Sequence, residues 1–378
     1  MLMTVTTSHL PAPRLPRRRV VARRVAALRL GTLHLSARVA ALAMLLPLVA
    51  TPAAAQAPAT GTRPVASARK TPGLPRLIIV SNERSHDLTV LDGATLKTVA
   101  TIPVPGRARG VRVTPDHRHA LVALSDDRPQ TPGPNDGIVE VDLTTHRVLR
   151  RLPAGTDPEQ FAITPDGRRL VAANEDAGNA SIIDPVKGVV LATLVVGTEP
   201  EGVTVSPDGR WVYVTAETSN TISVIDMRTE RVVATFLVDA RPRATAFSPD
   251  GRFAYATSEV GGSVARIDAR RHRVLSRARV GTGEEKPVGI AVSPDGRRLY
   301  VALGAGHALV KLDAVSLREL GRVAVGTRPW GVELSPDGRF AYTANGRTDD
   351  ISVVDVGAMR VVKTVKVGTR PWGVAIVP

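Results

Sequence analysis

From Leu77 onward, apolar and polar residues alternate in short runs broken by Pro-Asp-Gly and other turn-forming clusters. A period of two is the mark of strands with one buried face. No longer stretch keeps helical spacing, so an all-β chain is expected. Turns of the Ser-Pro-Asp-Gly-Arg type place a proline at Pro115, Pro165, Pro207, Pro249, Pro294 and Pro336, at steps of 50, 42, 42, 45 and 42. A second marker is the aspartate that closes a β-branched run, as in Ile222-Ser223-Val224-Ile225-Asp226. It falls at Asp92, Asp142, Asp184, Asp226, Asp268, Asp313 and Asp355. Two independent markers with one period establish a repeat, and a unit near 42 residues built of short strands fits a four-stranded propeller blade.

One unit parses cleanly. Gly202 to Val205 is an inner strand, Ser206 to Arg210 a tight turn, and Trp211 to Thr215 a second strand. Ile222 to Asp226 is a third strand and Arg231 to Val238 a fourth. The count is seven. The last residues form an inner strand, and the first ordered strand is a second strand starting at Leu77. Gly373 to Val377 is therefore expected to pair with Leu77 to Ser81, closing the ring of a seven-bladed β-propeller and removing its sheet edges. Two units are longer: one between Ser125 and Ile138, the other between Val280 and Pro287.

The charge changes the picture less than its total suggests. The chain carries +15, yet residues 1–70 hold 11 Lys and Arg and no acid, which leaves 39 basic (50 less 11) against 35 acidic residues. The basic segment from Arg14 to Arg38, the apolar stretch Val39 to Ala50 and Ala53-Ala54-Ala55 follow the order of a secretory signal peptide. Residues 1–55 are read as that signal, 56–75 as a flexible linker and 76–378 as the propeller. The mature protein is expected in the periplasm or outside the cell, as a monomer with no membrane span. Near-balanced charge in the remainder disfavours nucleic acid as a partner. The absence of cysteine excludes disulfide scaffolds, thiol nucleophiles and cysteine-ligated clusters.

Tyr213-Val214-Thr215, Val80-Ser81-Asn82 and Thr343-Ala344-Asn345, with the ISVID and VGTRPWG units, resemble the YVTN family of seven-bladed propellers. The resemblance spans Leu77 to Pro378. Blade-specific wording such as Asp157-Pro158-Glu159-Gln160-Phe161 and Glu199-Pro200-Glu201-Gly202 is similar to the subfamily associated with pyrroloquinoline-quinone (PQQ)-dependent catabolism. That resemblance implies a place beside periplasmic PQQ-dependent alcohol oxidation. Ala216, where the motif has asparagine, and the insertion after Ser125 depart from the pattern.

Propeller topology puts the links between blades on one face, at the mouth of the central channel. Aligning them gives one column, Arg107, Asp157, Glu199, Arg241, Lys286, Arg328 and Arg370. Two positions on lies a second, Arg109, Glu159, Glu201, Arg243, Val288, Trp330 and Trp372. A structural position should repeat its chemistry round a pseudo-symmetric ring, and these columns do not. They are read as a ligand-binding mouth formed by Arg109, Glu159, Glu201, Arg243, Trp330 and Trp372, supported by Arg328 and Arg370. Salt bridges and ring packing at a solvated rim would explain them too. Glu83, Glu175, Glu217 and Glu259 in neighbouring loops are read as secondary, solvated acids, too far apart on different blades to share one calcium ion. Histidine spacing gives no transition-metal site, and no metal or cofactor is expected.

No GxSxG elbow, P-loop or dinucleotide-binding glycine pattern occurs. The function expected from these features is that of an exported, non-enzymatic binding or scaffold propeller, taking a protein partner or a small polar ligand at the channel mouth. One alternative is a lactonase- or hydrolase-like enzyme using Glu159 and Glu201, which a raised carboxylate pKa at the mouth would favour. The other is a cell-surface adhesion or interaction propeller.

Overall fold

The computed structural model describes residues 73–127 and 133–378. The signal peptide, most of the linker and the middle of the insertion after Ser125 lie outside the described residues. All described secondary structure is β: seven antiparallel sheets of four strands, arranged as a seven-bladed propeller. Blades are numbered here in chain order. Their inner strands are Pro371–Val377 for blade 1, Arg107–Val113 for blade 2, Pro158–Ile163 for blade 3, Pro200–Val205 for blade 4, Pro242–Phe247 for blade 5, Pro287–Val292 for blade 6 and Pro329–Leu334 for blade 7.

Blade 1 joins the two ends of the chain. Pro371–Val377 pairs with Leu77–Asn82 in the expected register, Leu77 opposite Val377 and Ser81 opposite Gly373. The parse of blade 4 holds to within two residues at each strand end, with strands Pro200–Val205, Trp211–Ala216, Thr221–Asp226 and Arg231–Leu237.

The repeat residues are explained by hydrogen bonds. In the turn after the inner strand of blades 2–7, a Ser or Thr hydroxyl donates to the aspartate two residues on, as Ser206 does to Asp208 at 2.5 Å. The same oxygen accepts the amide of Trp211 at 2.8 Å, tying the two sides of the turn together. The aspartate ending the third strand caps the next turn: Asp226 accepts the Arg228 amide at 2.9 Å. The motif asparagine stitches second strand to third, Asn345 Nδ2 reaching Asp350 at 2.8 Å and Ser352 at 3.0 Å. Asn82 and Asn174 do the same in blades 1 and 3.

Between blades the core is aliphatic, with Phe161, Tyr213, Tyr255 and Tyr342 among the largest fully buried side chains. The outer strands are largely exposed. The outer strand of blade 3, Val189–Val195, carries no charge and exposes Val189, Val190, Leu191 and Val195.

Candidate functional site

One repeated backbone device builds the mouth. The residue before the first proline of the inner strand is left-handed in six blades: Asp157, Glu199, Arg241, Lys286, Arg328 and Arg370, with φ between 49 and 58°. Such a conformation is uncommon away from glycine and persists where the surroundings enforce it. Here its carbonyl accepts the amide that opens the next loop of the same blade: Asp157 from Glu175 at 3.1 Å, Glu199 from Glu217 at 2.9 Å, Arg241 from Glu259 at 2.8 Å and Arg370 from Glu83 at 2.9 Å. This bond sets each loop acid beside the link, where it can meet the arginines of the columns.

Next the inner strand slips register against the second strand, between Pro200 and Val203 in blade 4 and between Pro242 and Thr245 in blade 5. Glu201 and Arg243 lie inside these slips, and an irregularity of this kind re-aims a side chain out of the ladder. The glycine that follows lets the next blade close in. A Cβ on Gly202 would stand 2.3 Å from the Arg243 carbonyl oxygen, and one on Gly289 2.3 Å from that of Trp330. Thr215 Oγ1 and Ser81 Oγ donate to the carbonyls of Arg243 and Arg109, at 3.3 and 2.5 Å. The second-strand Ser or Thr of the repeat thus holds the mouth residue of the next blade.

The side chains fall into two ionic clusters. In blades 1–3, Arg107 meets Asp157 at 3.1 Å and Glu83 at 3.5 Å. Arg109 meets Glu159, and Glu83 and Glu175 each at 3.7 Å. Four carboxylates here face two guanidiniums. In blades 4–7, Arg243 pairs with Glu201, Glu217 and Glu259, the last at 2.6 Å. Arg241 reaches Glu217 at 2.7 Å and Arg328 reaches Glu259 at 2.9 Å. Arg328 also lies 4.3 Å from the Trp330 ring centroid, and Trp330 stacks on Trp372 at 6.3 Å and 20°.

Three expectations need correction. The second column does not form a solvated rim, since Glu159 and Glu201 are 3% exposed and Arg243 8%, whereas Glu199, Arg241, Lys286 and Arg370 of the first column are exposed. The loop acids are not solvated either, since Glu217 and Glu259 are buried counter-ions of the column arginines. The Arg370 side chain is exposed, and the residue's hydrogen bonds to Glu83 and Asp349 run through its backbone, so the side chain does not support the mouth.

Below the mouth, the channel holds a small cavity of about 70 Å³ that is open to solvent. Glu201, Arg243, Trp330 and Trp372 line it, whereas Arg109 and Glu159 belong to the other cluster. It is also lined by Arg112, Gln160, Thr245 and Glu333, which sequence reasoning missed. A signal was available. The inner-strand position three residues after the second column reads Arg112, Ala162, Thr204, Ala246, Ala291, Glu333, Ala375, and breaks symmetry with one cation and one anion.

Burial and crowding set the proton affinities. Burial pushes the Glu175 carboxyl up to about 7; Arg109 works against this, and Glu201 and Asp157 add to it. Burial and then contact with Glu201 push Glu217 well above the carboxylate range, despite Arg243 and Arg241. Burial acts the same way on Glu259, but Arg243 and Arg328 outweigh it and hold the group below its usual value. Glu333 is partly buried and lines the cavity. Its burial raises its pKa, with Arg112 acting in the other direction. Asp157, Glu159 and Glu175 bring ligand oxygens within 4.8 Å of one another, but Arg107 and Arg109 already sit against them.

Residues 229–370 match the model of a family described as lactonase, 7-bladed beta-propeller, and residues 72–196 match that of a choice-of-anchor I domain. No curated protein sequence matches the chain. Among solved structures, hydrazine synthase from Kuenenia stuttgartiensis is 21% identical with a TM-score of 0.65, over 78% of this chain and 99% of that one. A putative 6-phosphogluconolactonase from Bacteroides fragilis is 19% identical with a TM-score of 0.67, over 82% of this chain and 100% of that one. Dihydro-heme d1 dehydrogenase NirN is 18% identical with a TM-score of 0.60, over 82% of this chain and 77% of that one. At this identity the likeness is one of fold. The lactonase match over residues 229–370 overturns the expectation of a non-enzymatic scaffold.

Proposed function

We propose that the protein is a lactonase-like hydrolase, opening a cyclic ester in the channel cavity beneath the mouth. The observation that carries this reading is the cavity itself. It combines flat apolar surface from Trp330 and Trp372, a fixed guanidinium at Arg243 and carboxyls at two depths, Glu201 and Glu333. A ring substrate lies against the indoles while Arg243, held by three carboxylates, offers donors in a preorganised fork. The raised pKa values of Glu175 and Glu217 and the lactonase match over residues 229–370 support the same reading. The test is proton release, in a pH-stat, from a panel of γ- and δ-lactones, neutral and phosphorylated. Turnover of at least one lactone, lost on Trp372→Ala, is the expected result; a wild-type protein inert on the whole panel rejects the reading.

We also propose that the chain is a YVTN-repeat protein of the PQQ-linked subfamily, working as a periplasmic or secreted monomer on a small polar ligand. The blade wording and the order of residues 1–55 support this. N-terminal sequencing of natively expressed protein checks export, with Gln56 as the expected first residue.

A further inference from the structure

The deepest polar groups of the cavity are not those of the mouth. Glu333 lies on the inner strand Pro329–Leu334 of blade 7, and Arg112 on Arg107–Val113 of blade 2, with blade 1 between them. Blade 1 puts Ala375 at the same level, and blades 3, 5 and 6 put Ala162, Ala246 and Ala291 there. These uncharged side chains, with Thr204 on blade 4, leave Arg112 and Glu333 the only charged residues at that level. Among the described residues the Glu333 carboxylate makes no hydrogen bond and no ion pair. The Arg112 guanidinium donates only to its neighbour's carbonyl, that of Val111, at 2.9 Å. Every acid of the mouth, by contrast, is tied to an arginine or a hydroxyl. A carboxylate locked against a guanidinium is a poor proton acceptor, because accepting a proton forfeits the ion pair. A free one at the cavity wall is a good one.

We propose that Glu333 is the proton acceptor that activates the hydrolytic water, and that Arg112 holds the substrate's carbonyl oxygen as charge develops on it. This deepens the lactonase reading and rests on it. As the water oxygen bonds to the lactone carbonyl carbon, Glu333 takes a water proton and the carbonyl π-electrons move to the oxygen beside Arg112. Collapse re-forms the carbonyl and breaks the ring C–O bond. The proton on Glu333 passes to the departing alkoxide, which leaves as a hydroxyl. The product is the open hydroxy acid, which then ionises, and no external oxidant or reductant is consumed. The burial that raises the pKa of Glu333 strengthens it as a base.

The groups facing Glu333 are few. They are Arg112, Glu201 and Arg243 from the inner strands of blades 2, 4 and 5, and Tyr342 opposite Glu333 in the second strand of its own blade. The inner strands of blades 1 and 6, Pro371–Val377 and Pro287–Val292, contain no ionisable side chain.

The experiment measures kcat, KM and pH dependence on the best lactone of a panel of glucono-δ-lactone, δ-valerolactone and γ-butyrolactone. It uses wild type, Glu333→Gln, Glu333→Asp, Arg112→Met and the opposite-face control His117→Ala. Glu333→Gln is expected to lose about 10²–10³-fold in kcat with KM within roughly twofold, and to lose the rise of rate with pH seen in wild type. Arg112→Met should lose a similar factor in kcat. Glu333→Asp, which keeps the acid on a shorter arm, should fall between Gln and wild type, and His117→Ala should match wild type. Thermal melts confirm that each variant is folded, with Glu333→Asp the second test should Glu333→Gln melt early. Wild-type activity that survives Glu333→Gln overturns this inference and leaves the lactonase reading standing. A wild type inert on every lactone overturns both.

Discussion

Replacing Arg243 by alanine tests whether the mouth is a built ionic core or a surface rim. Arg243 is 8% exposed and pairs with Glu201, Glu217 and Glu259, all three at 3% exposure. Arg241 and Arg328 remain to serve Glu217 and Glu259, but among the described residues Glu201 pairs with no other cation. Removing one partner of a buried pair costs about 3–5 kcal/mol, because the charge left behind is desolvated and unpaired. For a domain of this size that is a drop in Tm of roughly 5–8 °C. Alanine also empties the space beside Trp330, whose ring centroid lies 5.4 Å from the guanidinium.

The deficit must depend on pH. Burial alone would lower the proton affinity of Arg243, but Glu201, Glu217 and Glu259 outweigh it and keep the group protonated. Without it Glu217, already held above the carboxylate range by burial, is pushed further up, and Glu259 loses the larger of the two arginine contacts that hold it down. Groups raised in this way add no penalty below the unfolded value, near about 4.5 for glutamate, and destabilise progressively as pH climbs through the folded value. The gap in Tm between wild type and Arg243→Ala should therefore be wide at pH 8 and narrow at pH 5. Differential scanning calorimetry at both pH values measures it. Combining Arg243→Met with Glu201→Gln and Glu217→Gln, which removes the unpaired charge and leaves Glu259 with Arg241 and Arg328, should recover much of the loss. An Arg243→Ala protein that melts with wild type at pH 8 would falsify the buried-cluster account and restore the solvated rim.

Deleting residues 368–378 strips blade 1 of its inner strand, and should abolish cooperative melting because Leu77–Asn82 is left as an open edge; an unchanged melt speaks against ring closure. Gly202→Ala puts a Cβ 2.3 Å from the Arg243 carbonyl oxygen, so chemical denaturation should show a loss of about 1–3 kcal/mol, while alanine at the exposed Gly357 should cost less. Glu175 has its pKa raised to about 7, so its unfavourable ionisation is absent at pH 4 and grows as pH rises toward 7. Glu175→Gln should then match wild-type stability at pH 4 and exceed it at pH 8 in parallel thermal melts.

What the sequence determined by itself is whatever repeats. Strand period, turn chemistry and blade count depend on contacts within one unit of about 42 residues, and each unit states them again. Seven copies average out local noise, which is why the register from Leu77 opposite Val377 to Ser81 opposite Gly373 was legible before any coordinates. The mouth columns were legible because they break the repeat. Their burial was not, since it depends on how closely neighbouring blades approach. That distance is set by Gly202 and Gly289 meeting the backbone of the next blade. The partners of Glu217 and Glu259 lie 26 and 69 residues away in sequence, in Arg243 and Arg328, and only the packing of blade against blade around the channel makes them neighbours. Glu333 and Arg112 are further apart still, on blades 7 and 2, and each alone is an ordinary charged residue on a strand. The tertiary structure brings both to the wall of one cavity by bending seven sheets around a common lumen.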